Sequence, residues 1–387
     1  MITLGCKKPY APPAIATAGS YLVIEGGINS GSDSTIITLS KTVKLSSATT
    51  INPLTNAVVA VQSDKGATYP LAEISAGKYV SPGLNLNTSN NYRLSITTAD
   101  NKQYYSDYVA VLTSPPIDSI YFRITNNAVN VYSATHDPSN SVKYFRWDYN
   151  ETWIIHPEFD SHFISNGDTV LPRPVSQQIY TCWQTDTSST IILGSSAKLS
   201  SDVIVDNPIT ILPSNSPKIA SEYSILVRQY ALTGDAYSFW TNLKKNTEQL
   251  GSIFDAQPSQ INGNIHSATN PGEPVIGYIS ASSVTSERIF ITIYQLPAWP
   301  ANSNFPPNCQ LTPCLYAFLA PGSTIPVNQV DEFINYNRGA SFPLIPVDVI
   351  QPPGAPAPLG YSASTPECVD CTLHGTNKEP AFWKYYP

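Results

Sequence analysis

The sequence has little charge, a single methionine and no long apolar run. Asp, Glu, Lys and Arg make up 13% of its 387 residues, about half the ~25% common in soluble domains. The formal net charge is −7 and no Lys/Arg run exceeds two residues. The clustered cations that grip a phosphate backbone are therefore missing, and nucleic acid is excluded as an expected partner. No segment approaches the ~20 consecutive apolar residues of a spanning helix, so membrane attachment would need another device. Catalytic signatures are missing as well: there is no Gly-x-Ser-x-Gly elbow, His-Glu-x-x-His, phosphate-binding loop or Gly-x-Gly-x-x-Gly. No catalytic residue, cofactor or metal is expected, and an enzyme would have to be a hydrolase assembled from distant residues.

What is present instead is Ser, Thr, Asn, 34 prolines and short runs of β-branched and aromatic residues, the composition of an exported β-protein. At roughly 100 to 200 residues per domain the length predicts two or three domains. The start reads MITLGC, and Leu4-Gly5-Cys6 resembles the end of a bacterial lipobox, in which the cysteine after small residues is lipidated. Cys6 is the expected lipidation site, and residues 1–20, with the Pro/Ala-rich KKPYAPPAIATAGS, are expected to be a tether. The basic and longer apolar parts of a signal peptide do not precede it. The alternative is a free cysteine in a disordered tail.

Residues 21–114 contain YLVIEGGI, STIITLSKTV, NAVVAVQS, AGKYVS, YRLSITT and YYSDYVAVL, strand-length runs separated by Gly, Asn, Asp and Pro. Ala57, Val59 and Val61 share one face, as do Tyr92, Leu94 and Ile96. The order of these runs resembles a transthyretin-like β-sandwich. Ser114-Pro115-Pro116 breaks the pattern. Beyond it IYFRI, VNVYSA, VKYFRWDY, QIYTCWQT, SILVRQYAL, VIGYISA and RIFITIYQL predict a second sandwich of fibronectin type III or immunoglobulin character over residues 115–300. Within that span Ala236, Phe239, Trp240, Leu243 and Leu250 recur at helical spacing, with Thr233 or Asp235 to cap the start and Gly251 to stop it. Residues 233–274 are thus a predicted helical insertion, expected to bury its stripe as a cap on the second sandwich.

From residue 301 to 387 proline density rises and periodicity fades, which predicts an irregular wrap. It holds Cys309-x4-Cys314 and Cys368-x2-Cys371. These four thiols could hold zinc, but disulfides are expected in an exported protein whose wrap has little core of its own. Which of three pairings forms is left open, and Cys182, within a strand, is expected to be a buried free thiol. The histidines His136, His156, His162, His266 and His374 are scattered. His156 and His162 flank Glu158 and Asp160, a grouping read as a polar surface loop rather than a metal site. Asp148 and Glu151 could serve as an acid/base pair, yet they lie among aromatics. Phe145, Trp147 and Tyr149 alternate with Arg146 and Asp148, so one face is expected in the core and the other to carry an ion pair. Trp147, Trp153, Trp183 and Trp240 are expected to be core residues more than sugar platforms.

YFRWDYNETW, the block YSILVRQYALTGDAYSFWTNLKKNTEQLGSIFDAQPSQINGNI, VIGYISASSV with RIFI, and ECVDCTLHGTNKEPAFW together resemble the family called domain of unknown function 4249. The resemblance implies an outer-membrane lipoprotein of Bacteroidota-type bacteria, lipidated at Cys6 and found with a TonB-dependent β-barrel receptor, with no established catalysis. Cys368 and Cys371 match its closing cysteine pair. Lys7 and Lys8 follow Cys6 where surface-exported lipoproteins usually carry acidic residues, which leaves cell-surface against periplasmic display open. His266 stands where relatives are expected to have cysteine, which would leave Cys182 without a partner. Two functions follow as expectations. The first is a non-catalytic accessory subunit that aids nutrient capture or uptake, with the helical insertion as its contact surface. The second is an independent module that binds a glycan or peptide at the cell envelope.

Overall fold

The computed structural model describes residues 21–43, 51–248, 263–300, 305–336 and 343–385. Cys6, the 1–20 tether and Gly251 lie outside them. Up to Ser114 the chain forms β1 (Leu22–Asn29), β2 (Thr35–Lys41), β3 (Val58–Ser63), β4 (Thr68–Ser75), β5 (Lys78–Ser81), β6 (Asn91–Thr97), β7 (Gln103–Ser106) and β8 (Val109–Leu112). Next come β9 (Ile117–Ile124), β10 (Ala128–His136), β11 (Tyr144–Ile155), β12 (Phe163–Ser165), β13 (Val170–Pro172), β14 (Cys182–Thr187), β15 (Ile192–Ser195), β16 (Val203–Pro213) and β17 (Glu222–Leu232). The helix α1 (Gly234–Glu248) is followed by β18 (Ile265–Ser267), β19 (Val275–Ile276), β20 (Ala281–Ser282), β21 (Val284–Thr292), β22 (Thr312–Leu315), β23 (Ile345–Ile350) and β24 (Gly360–Ser364). The protein is mainly β, and the strands gather into two compact units. One is Met1–Ser114 with Ala231–Val284, and the other is Pro115–Tyr230 with Thr285–Pro387.

In the first unit one sheet runs β18-β7-β6-β3-β4-β5-β2-β1-β20-β8, and β8 also pairs with β6. The sheet thereby folds over a single core. Period-two alternation supplies that core: Val59 and Val61 from β3, and Tyr92, Leu94 and Ile96 from β6, are all buried within it. The insertion belongs here and not on the second sandwich, which corrects the expectation. After α1 the chain returns as β18 beside β7, β19 beside β1, and β20 between β1 and β8. VIGYISA is accordingly part of the first unit. The physical reason is edge satisfaction: β1 and β8 would otherwise present unpaired backbone groups. No short-range pattern carries that information across more than a hundred residues. Gly277 permits the close approach. Its φ is +147° and a Cβ there would stand 2.4 Å from the Ile24 carbonyl oxygen. The helix starts where Thr233 Oγ1 accepts from the Ala236 N–H, and it buries Ala236 and Phe239, the latter against Tyr278.

The second unit stacks a three-stranded sheet, β16-β10-β9, with a five-stranded one, β14-β11-β17-β21 plus β15 on β11. Alternate residues of β11 and β17 point inward, so Phe145, Trp147, Tyr223, Ile225 and Val227 are fully buried. Gln229 is buried among them and uses its amide fully: Oε1 accepts from the Trp147 indole, and Nε2 donates to the Pro115 carbonyl and Thr135 Oγ1. The residues after 301 are not wholly irregular. They contain a small sheet, β22-β24-β23, over a cluster that includes Val170, Val330, Ile334, Tyr361 and Cys314.

The cysteine expectations need two corrections. Cys182 is bonded to Cys371, and Cys309 to Cys368. Cys314, expected in a disulfide with Cys309, Cys368 or Cys371, is instead free and buried. It faces the small core beneath β24, where burial pushes its thiol up to about 11. Cys182 is no free thiol, because the chain after Cys371 bridges β14: Trp183 and Thr376 exchange backbone hydrogen bonds of 2.8 and 3.0 Å. His266 plays no part in this. It lies on β18, 3.2 Å from Asp107. These bonds also take three of the four thiols that a zinc site would have used.

Candidate functional site

The even-numbered residues of β11 face away from the core, and so do Ser224, Arg228 and Tyr230 of β17. Arg146, Asp148 and Arg228 are each about three-quarters buried on that outward face. The expected ion pair is there. Arg146 Nη2 is 3.5 Å from Asp148, and Arg228 Nε donates to the same carboxylate at 2.6 Å while its Nη1 reaches Asn150 Oδ1. The Arg146 guanidinium also lies over the Tyr230 ring, 4.5 Å from its centroid. On β21, the next strand, Arg288 Nη1 donates to Ser224 Oγ at 2.9 Å, and the guanidinium sits 3.5 Å from the Phe382 ring centroid. Phe382 precedes Trp383, which packs with Ile154, Trp183 and Phe290 over the same sheet. Blocks far apart in sequence, YFRWDYNETW, SILVRQYAL, RIFI and the closing segment, therefore meet on one surface.

The patch gathers the guanidiniums of Arg146, Arg228 and Arg288 with the carboxylate of Asp148, and the Glu222 carboxylate is buried farther along β17. Burial pulls Arg228 down, but Asp148 and the Tyr230 phenol outweigh it and hold Arg228 above its ordinary value. Tyr230 is pushed up to about 12 by burial and by Asp148. Arg288 goes the other way, below its ordinary value, through burial and then through repulsion by Arg228. The patch can bind an anion through planar N–H forks.

The other candidate groupings do not assemble. Asp148 and Glu151 lie on opposite faces of β11, since three residues separate them. Glu151 points inward to Lys218 and to Tyr223, whose hydroxyl donates at 2.8 Å. His156 stacks on Tyr180 with centroids 4.6 Å apart, and burial lowers its affinity for a proton. The exposed His162 side chain is 3.7 Å from Asp160. Among the described residues no three His, Cys, Asp or Glu side chains are placed to share a metal ion. Trp147, Trp153 and Trp183 are core residues. Sequence reading missed a second exposed grouping, in which Arg123 lies over the rings of Tyr121 and Tyr132 and forks onto Asp206. The outward alternation of β9 and β10 was its available signal.

The sequence model of a family described as Domain of unknown function (DUF4249) matches residues 7–288. The chain belongs to that family. The match takes in β11, β17 and Arg288 and stops short of Cys309, Cys368 and Cys371. No curated protein matches the chain. Among solved structures a two-fibronectin-type-III-domain segment of chicken tenascin is similar over 54% of this chain and 90% of that one, at 13% identity and a TM-score of 0.16. That likeness is too weak to bear on function.

Proposed function

We propose that this member of the family is a non-catalytic accessory lipoprotein of the outer membrane, anchored through Cys6 and docked on a TonB-dependent β-barrel receptor during nutrient capture or uptake. The observation that carries the export half of this reading is the pair of disulfides, Cys182–Cys371 and Cys309–Cys368, since such bonds persist outside the reducing cytosol. The family resemblance brings in the anchor and the receptor. Purification of the tagged full-length protein from its native outer membrane in mild detergent, with mass spectrometry of the eluate, tests it. A stoichiometric β-barrel receptor is expected, and elution alone at low salt would remove the docking reading. Multiple acyl chains anchor stably where one does not, so Cys6→Ala is expected to move the protein to the soluble fraction.

A second reading, an independent glycan- or peptide-binding module, has its own supporting observation in the half-buried Tyr121–Tyr132 pair beside the exposed Arg123. These rings are 5.8 Å apart at 26° with the Arg123 guanidinium over both, so a sugar bound here would have to displace Arg123 or share the rings with it. Binding on a broad glycan panel that is lost in Tyr121→Ala would favour this reading over the first.

A further inference from the structure

On the outward face of the second unit one arginine, Arg288, has no ion-pair partner among the described residues. Arg228 and Arg146 share Asp148. Arg288 does not. Among the described residues no carboxylate lies within ion-pair distance of it, its one hydrogen-bond acceptor is the uncharged Ser224 Oγ, and it feels the like charge of Arg228. A desolvated cation beside another cation opposes folding unless a counter-charge arrives.

We propose that Arg288, with Arg228 beside it, receives a carboxylate from an acidic segment of a partner protein docked on this face. The inference rests on the accessory reading above and specifies where the partner is held. Two observations favour a peptide over a sugar. The aromatic rings of the patch are already covered, Tyr230 by Arg146 and Phe382 by Arg288, so the ring faces on which a sugar would stack are taken. What the site still offers is N–H donors: the guanidinium has five and Ser224 accepts from one. The second observation is the strand that carries Arg288. β21 ends the five-stranded sheet, and among the described residues no strand pairs with its far side. The β14 end is bridged by Trp183 and Thr376. An extended segment can therefore add to β21 through backbone hydrogen bonds. A residue opposite Arg288 on that segment would have its Cβ roughly 5 Å from the arginine Cβ, within reach of an Asp or Glu carboxylate.

The test uses the full chain and a capped Thr-Val-Glu-Val-Thr peptide, with its Gln counterpart as control, followed by the arginine Nε–Hε resonances in an NMR titration. The Glu peptide is expected to shift Arg288 and to bind at least about tenfold more tightly than the Gln peptide, as a charged hydrogen bond requires. Arg288→Gln, which breaks no ion pair, is expected to abolish that preference in a protein that still unfolds in a cooperative urea transition, and Arg288→Lys to restore part of it. Equal binding of the two peptides, no binding up to about 10 mM, or a preference that survives in Arg288→Gln would overturn the inference. Arg288-dependent binding of tri-galacturonate without peptide binding would also overturn it, by assigning the site to an acidic sugar. Membrane purification separates this inference from the reading it rests on. A receptor retained equally by wild type and Arg288→Gln sinks the inference alone, whereas a receptor absent from wild type sinks the accessory reading and leaves the titration to decide the site.

Discussion

Removing the Cys182–Cys371 bridge should loosen the second unit and leave the first untouched. The bridge closes a loop of 189 residues and Cys309–Cys368 one of 59. In the chain-entropy picture a loop of the first size contributes about 5 kcal/mol, and one of the second about 4. The smaller loop is nested in the larger, so the two do not simply add. With the inner bridge intact the outer one still constrains roughly 130 residues of free chain, which leaves about 5 kcal/mol as a ceiling and about 3 as the expected loss. Cys182→Ala with Cys371→Ala makes the change without leaving a polar atom in the site. At a urea slope of about 3 kcal/mol/M, a loss of about 3 to 5 kcal/mol lowers the midpoint by about 1 to 1.7 M. Fluorescence separates the units, because Trp147, Trp153, Trp183, Trp299 and Trp383 belong to the second and Trp240 to the first. A midpoint shift below about 0.3 M, or an equal shift in the transition that Trp240→Phe removes, would refute the reasoning.

Lys218→Ala should cost about 3 to 5 kcal/mol in the same transition, since it strands the buried Glu151 carboxylate. Tyr223→Phe, which removes one hydrogen bond to that carboxylate, should cost about 1.5 to 3. Asp137 accepts from the N–H groups of Ser139, Ser141 and Val142. Burial pushes its carboxyl up, but these hydrogen bonds together with the one from the Ser139 hydroxyl outweigh it and hold the group below the ordinary carboxylate range. With the folded pKa depressed, its contribution is full above the unfolded value of about 3.9 and is lost as pH falls toward the folded one. Acid titration of wild type against Asp137→Asn should show that difference vanish at low pH. Gly277→Ala should destabilise the first unit by at least about 1 to 3 kcal/mol, read by Trp240, because the left-handed backbone and the Ile24 carbonyl both exclude a Cβ. Cys314 should resist alkylation at pH 8 in the native protein and react once unfolded. Rapid native labelling would contradict its burial.

Much of the strand content was legible because a half-buried strand writes its two faces in alternation. YFRWDYNETW placed Phe145 and Trp147 inside and Arg146 with Asp148 outside, as observed. β16 went unread, since Asn207-Pro208 interrupts DVIVDNPITILP where β10 and β16 shift register. Arg288 was invisible as a site residue for another reason: its significance lies in which carboxylate is absent around it, and absence becomes visible only once neighbours are assembled. The disulfides failed for a similar reason. Cys182 and Cys371 meet because the chain around Thr376 bridges to the edge of β14, and spacing within a motif cannot report that.

The discontinuity of the first unit has a consequence for the order of events in synthesis. Its sheet lacks β18, β19 and β20 until Val284 has been made, roughly 170 residues after Ser114. At the ~5–20 residues per second of translation, that is an interval of about 10 to 30 seconds. During it β1 and β8 have bare edges of the kind that recruit strands from other chains. The second unit's early strands emerge in that interval and compete for those edges. A chain built in this way gains from whatever keeps it unfolded until its whole length is available.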